Sequence, residues 1–214
     1  FSASGNRKEC SSKLIKSGIG KIDLKYAFRI LRDHGNENYS PYSHFLGDRL
    51  CAHAANNLSR NATQTTGSIV AGLKQDEISC WATGTSAPCT SIFKPVRFEG
   101  EVLPEVNKGL DGKFNSETHW WHHELLHRSL LPDYETRIKV ISRERDELED
   151  SFIKKTEGLL PGNSYDLTLS AFKQAREMTD LWIEKVKVVP INRRPNYIYR
   201  KYWEAQNRNA GISL

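Results

Sequence analysis

No stretch of this 214-residue chain approaches the roughly 18 uninterrupted apolar residues that a membrane-spanning helix requires, so a membrane partner is not expected. Phe1 to Cys10 lacks the apolar block of a signal peptide, and an opening of Phe1-Ser2-Ala3-Ser4 without methionine reads as a processed or cut end. Cysteine is scarce. The four thiols, Cys10, Cys51, Cys80 and Cys89, form no Cys-x-x-Cys pair, which removes the usual metal-knuckle and redox spacings. A chain of this length has no need of disulfides, so free thiols are the default expectation, with one or two disulfides left open. Internal repeats and low-complexity blocks are also absent. The net charge of +5 comes from interspersed lysine, arginine and acid rather than from one basic block, so it does not demand a nucleic-acid partner.

What remains is the composition of a globular chain, 38% apolar and long enough to bury one core or half of a larger one. Three glycosylation sequons begin at Asn38, Asn57 and Asn61, but a chain with this asparagine content yields about two by chance. The compartment therefore stays open between cytoplasmic and lysosomal or secreted, and self-association is equally open.

The hydrophobic pattern divides the chain in two. Ile22 to His34 has helical spacing at Leu24, Phe28 and Leu31, with Asp23 placed to cap it and Gly35 to end it. Asn36 to Arg60 reads as a long irregular segment with a short extended piece at Leu50 to Ala54. Three strand-like runs follow, Thr66 to Leu73, Glu77 to Thr83 and Thr90 to Phe98, with a tight Lys74-Gln75-Asp76 connection and an edge or bulge position for Pro95. Beyond a linker from Glu99 to Asn115 the pattern turns helical. One stripe carries Tyr134, Ile138, Ile141, Leu148 and Phe152, and a second carries Phe172, Ala175, Trp182, Val186 and Val189. Leu160 to Asn163 separates them, so the expectation is an antiparallel helical hairpin, then a weaker helix over Arg194 to Asn209. The class is α+β, with residues 1–115 carrying the strands and 116–214 a helical region packed on them.

The most informative letters are the order Cys51-Ala52-His53-Ala54, then Gln64-Thr65-Thr66-Gly67-Ser68, then Thr83-Gly84-Thr85-Ser86-Ala87-Pro88-Cys89-Thr90-Ser91-Ile92-Phe93-Lys94-Pro95. Such density of small hydroxyl residues and glycine places backbone and short polar groups where bulky side chains ordinarily pack. A fourth element is Trp120-Trp121-His122-His123-Glu124-Leu125-Leu126-His127-Arg128. In this order the four resemble the C-terminal part of the N-terminal-nucleophile cysteine dipeptidases to which the secernins belong, over roughly Leu24 to Phe152.

That resemblance implies part of an αββα sandwich and an amide hydrolase acting on dipeptides or small amides. Its amino-terminal cysteine attacks the carbonyl while its own α-amino group serves as base. Residue 1 is Phe1, so the nucleophile is expected upstream of this chain, in the N-terminal portion of the same precursor or in a companion chain. Within this chain His53, Thr65, Thr66 and Ser68 are the expected substrate-pocket residues, and no cofactor is expected. Two alternatives are an inactive structural or interaction protein on the same fold, and a zinc peptidase through His123-Glu124-Leu125-Leu126-His127. Two imidazoles on one helix face with a carboxylate beside them, and Glu147 as a third ligand, would suit zinc. Packed, hydrogen-bonded histidines are the preferred reading of that segment. Cys80 and Cys89 read as small buried hydrophobes. The mixture of Arg193, Arg194, Arg200, Lys201 and Arg208 with Tyr197, Tyr199, Tyr202 and Trp203 reads as a helix with aromatics inward rather than a nucleic-acid surface.

Overall fold

A computed structural model describes residues 4–35, 39–44, 46–54, 56, 58, 63–73, 78–97, 111–157 and 164–214. These form a mixed α+β arrangement. Helices α1 (Ser4–Ser17) and α2 (Leu24–Leu31) precede strands β1 (Ile69–Leu73), β2 (Ile78–Ala82) and β3 (Lys94–Val96). Helices α3 (His119–Leu130), α4 (Tyr134–Thr156), α5 (Ser164–Lys187) and α6 (Tyr197–Ala210) follow.

The α2 helix begins where Asp23 Oδ1 accepts from the Tyr26 amide at 2.7 Å, satisfying one of the first-turn donors. Preceding it, α1 was not anticipated by the pattern. It buries no residue and leans on α2 through Tyr26, whose hydroxyl donates to the Leu14 carbonyl. Asn36 to Arg60 is irregular where described, apart from a 3₁₀ turn at Pro41–Ser43. Cys51 to Ala54 runs between neighbouring segments without joining a ladder: the Cys51 amide bonds Asp33 O and the Thr65 amide bonds Ala52 O.

The sheet is an antiparallel meander in the order β1-β2-β3, with Ile69 opposite Ala82, Leu73 opposite Ile78, and Trp81 opposite Pro95. Pro95 thus lies on an edge strand, where its missing N–H costs no ladder bond. The third strand is shorter than its letters suggest. Thr90 and Ser91 fold back instead, their hydroxyls bonding Ala87 O and Ser86 O, with Ala87 at φ 49. The β1–β2 connection, the 99–110 stretch of the linker and Leu160 to Asn163 lie outside the described residues.

One face of the sheet packs on α2. Phe28 stacks on Phe93 with ring centroids 4.1 Å apart and tilts against Trp81 at 5.7 Å. On the other face α5 covers β3, while Ile69, Leu73 and Ile78 remain 66 to 77% exposed. The α4 and α5 helices run antiparallel, since Glu144 meets Trp182 and Lys185 while Arg137 reaches Val189 O. A single core joins both halves of the chain: Phe28, Trp81 and Phe93 belong to the same cluster as Leu126, Ile141, Phe152 and Trp182. At the C-terminus, Asn196 caps α6 and Gly211, at φ 76, ends it. Tyr199 and Trp203 are buried while Tyr197 points outward.

Candidate functional site

The α3 helix is the unusual element, because polar residues surround it and most of them are buried. His122, His123, Glu124, His127, Arg128 and Ser129 are all removed from solvent. A buried polar helix is tolerable only if every polar atom finds a partner. Thr118 opens it by accepting from the Trp121 amide.

Glu124 is the hub. Its carboxylate, fully buried, accepts from Arg128 Nε at 2.9 Å, Gln64 Nε2 at 2.9 Å and the Ser86 hydroxyl at 2.5 Å. His127 Nδ1 lies 3.2 Å away, and its Nε2 is 3.0 Å from His53 Nδ1. Burial alone would raise the Glu124 carboxyl, but His127, Arg128 and Ser86 outweigh it and hold the group at about 2. His123 Nε2 meets the hydroxyls of Thr90 (3.1 Å) and Ser91 (3.0 Å), and burial holds its ring neutral, down to about 3.

His53 opens onto a second cluster. Its Nε2 faces His34 Nε2 at 3.2 Å, Cys89 Sγ at 3.3 Å and Cys51 Sγ at 3.6 Å. The four donor atoms of His34, Cys51, His53 and Cys89 all lie within 4.8 Å of one another. Tyr134 Oη donates to Cys89 Sγ at 3.1 Å, and the Tyr39 ring stacks on His34 at 4.0 Å. Burial lowers the His53 ring to about 4 and, with the neighbouring Cys89, pushes the Cys51 thiol up. Burial also opposes ionisation of Cys89, but donation from Cys51 and the facing His53 and His34 rings prevail and hold that thiol low.

The backbone around Cys89 is clamped from two helices. Arg32 donates to the Pro88 and Ser91 carbonyls and pairs with Glu149, whose carboxylate also takes the Phe93 amide. Arg145 donates to the Cys89 carbonyl. Between α2 and α4 a cleft of about 1190 Å³ reaches in to Tyr39, Cys89 and Tyr134.

Compared with protein-family models, with curated proteins and with solved structures, the chain matches none.

The expected pocket residues divide. His53 is buried between the two clusters. The Thr65 hydroxyl accepts from the Ala52 amide at 3.0 Å and so ties two loops together. Thr66 is exposed, and its carbonyl accepts from Trp120 Nε1. Ser68 is held through its backbone by Thr83. None of the four borders the cleft. Glu147, the third ligand of the zinc-peptidase alternative, is exposed and paired with Arg143, while His123 and His127 turn their ring nitrogens to different partners. Among the described residues, the only gathering of metal-binding side chains is the His34, Cys51, His53 and Cys89 group. Cys89, expected as a small buried hydrophobe, is buried in the core and also accepts a hydrogen bond from Tyr134, whereas Cys80 is only half-buried, on the open sheet face. The sequence did hold one clue to the cluster. Cys51 and His53, two apart on an extended segment, present their side chains to the same side. His34 and Cys89 could be joined to them only by the fold.

Proposed function

We propose that this chain is the C-terminal part of a cysteine amide hydrolase of the N-terminal-nucleophile kind, acting on dipeptides or small amides, with its nucleophile on sequence outside residues 1–214. The observation that carries this reading is the meeting of the four sequence elements on which the resemblance rests. His53 from the first, Gln64 from the second, Ser86 from the third and Glu124, His127 and Arg128 from the fourth form one buried hydrogen-bonded network. Residues so far apart in the chain have no local reason to share hydrogen bonds, so the four elements act as a unit. The open apolar face at Ile69, Leu73 and Ile78 gives further support, because a second sheet, as in an αββα sandwich, would cover it.

In this reading the chain contributes strands and pocket wall. The cleft between α2 and α4 takes the substrate, its rim of both charge signs suiting the two termini of a dipeptide. The upstream cysteine forms a thioester that water then hydrolyses.

The test is turnover of a dipeptide library by the intact protein, followed by iodoacetamide labelling and peptide mapping. Fast labelling is expected on an amino-terminal cysteine outside residues 1–214, with protection by a substrate dipeptide. No turnover across the library, or substrate-protected labelling confined to Cys89, would reject the proposal.

A further inference from the structure

Three different groups approach the single outward nitrogen of His53. His34 Nε2, Cys89 Sγ and Cys51 Sγ lie 3.2, 3.3 and 3.6 Å from His53 Nε2. An imidazole nitrogen has one in-plane lone pair or one N–H, so it can make only one good hydrogen bond. Three close contacts on that atom, with all four donors within 4.8 Å of each other, describe instead a shell around a common centre.

The three distances at His53 Nε2 fit a tetrahedral zinc ion. Zn–N bonds of ~2.0–2.1 Å and Zn–S bonds of ~2.3 Å at tetrahedral angles put N and N about 3.3 Å apart and N and S about 3.6 Å apart. The observed 3.2 Å for the two imidazole nitrogens and 3.3 and 3.6 Å for the sulfurs against His53 are those edges within a few tenths of an ångström. We infer that His34, Cys51, His53 and Cys89 bind one Zn2+ ion in a closed, structural Cys2His2 site.

The surroundings suit this ion. With Nε2 of His53 as ligand, its Nδ1–H donates to His127 Nε2, and His127 Nδ1–H in turn donates to Glu124 Oε2. Such a chain from carboxylate through imidazole orients a ligating histidine and raises its basicity. Tyr134 Oη donates to the Cys89 sulfur, and Tyr39 stacking fixes the His34 ring. Binding displaces the two thiol protons to solvent, and two thiolates with one Zn2+ make a neutral complex, which burial does not penalise as it would an isolated charge. Four protein ligands leave no position for water, so the ion's work is to join three stretches of chain that no strand ladder connects. These are the end of α2 at His34, the Cys51–His53 segment and the turn at Cys89.

The inference stands apart from the hydrolase proposal: zinc without turnover leaves this site intact, and turnover without zinc leaves the hydrolase intact. The experiment is elemental analysis of the intact protein, purified without chelator and dialysed. Reconstitution with Co2+ then reads ligand geometry from its visible absorption. About one zinc per chain, and the intense ligand-field and thiolate charge-transfer bands of four-coordinate Co2+, are expected. Cys51→Ser and Cys89→Ser should each lose the ion. His34→Gln alters a partly exposed side chain at a helix end, so its fold should persist by circular dichroism while metal retention falls at least tenfold. If the cysteine variants do not fold, this third variant decides. Absence of bound zinc, a Cys51–Cys89 disulfide in the purified protein, or zinc retained in full by folded His34→Gln would each overturn the assignment.

Discussion

Glu124→Gln is the substitution that tests the buried network most directly. The side chain keeps its size, but the charge disappears and one acceptor oxygen becomes a donor. In the native protein that carboxylate faces four donors, Arg128, Gln64, Ser86 and His127, at zero exposure. Removing one partner of a buried ion pair typically costs about 3–5 kcal/mol. Arg128 keeps the Gln206 carbonyl, the Asn207 side chain and two flanking tryptophan rings, which places the cost near the lower end, ~3 kcal/mol. The depressed carboxyl points the same way: the His127, Arg128 and Ser86 contacts hold it at about 2 against an ordinary value of 4.5, a stabilisation on the order of a few kcal/mol. Because the folded value is depressed, this stability is fully present above pH ~4.5 and is lost as pH falls toward about 2.

Urea midpoints of the native and Glu124→Gln proteins, measured from pH 7 downward, should therefore differ most at neutral pH and converge in acid. Glu147→Gln, at an exposed pair, should track the native protein throughout. If Glu124→Gln matched the native midpoint at pH 7 and kept the same acid limb, the carboxylate would not be the hub described.

Three further perturbations follow from the same contacts. Arg32→Lys keeps the charge but loses the fork that grips Glu149, Pro88 O and Ser91 O, so thermal unfolding should show a loss of about 2–3 kcal/mol; a shift near zero would mean that the clamp does not matter. Thr65→Val deletes the acceptor for the Ala52 amide and should cost about 1 kcal/mol by denaturant midpoint. Any loss of turnover in that variant should follow its loss of folding, and selective loss of activity at full stability would place Thr65 at the substrate pocket. Leu73→Ser, on the open sheet face, should leave unfolding of the isolated chain within about 0.5 kcal/mol while weakening its association with the remainder of a sandwich in a pull-down; equal association would argue against that face as the joint.

Local chemistry was legible in the letters alone. Periodicity placed α2, α4, α5 and α6 and all three strands, because apolar stripes and turn residues act over a few positions and carry their own signal. Asp23 was readable as a cap for the same reason. The α1 helix was not legible, since it buries nothing and has no apolar stripe to read. The third strand is shorter than its run of letters because the Thr90 and Ser91 hydroxyls bond turn carbonyls instead of extending the strand.

The candidate site shows the division most clearly. Density of hydroxyls, glycine and histidine singles out segments that meet in the buried network, and the Cys51 and His53 spacing puts two donors on one side. That His123 and His127 answer to separate partners, that Glu124 gathers four donors, and that His34 and Cys89 close on Cys51 and His53 was decided only by tertiary packing. Sequence spacing fixes direction within one element. Convergence of side chains from a helix end, a loop and a turn depends on how those elements are docked, and that docking involves a shared core in which Phe28, Phe93 and Leu126 pack with Cys51, Cys89 and Tyr134 of the site itself.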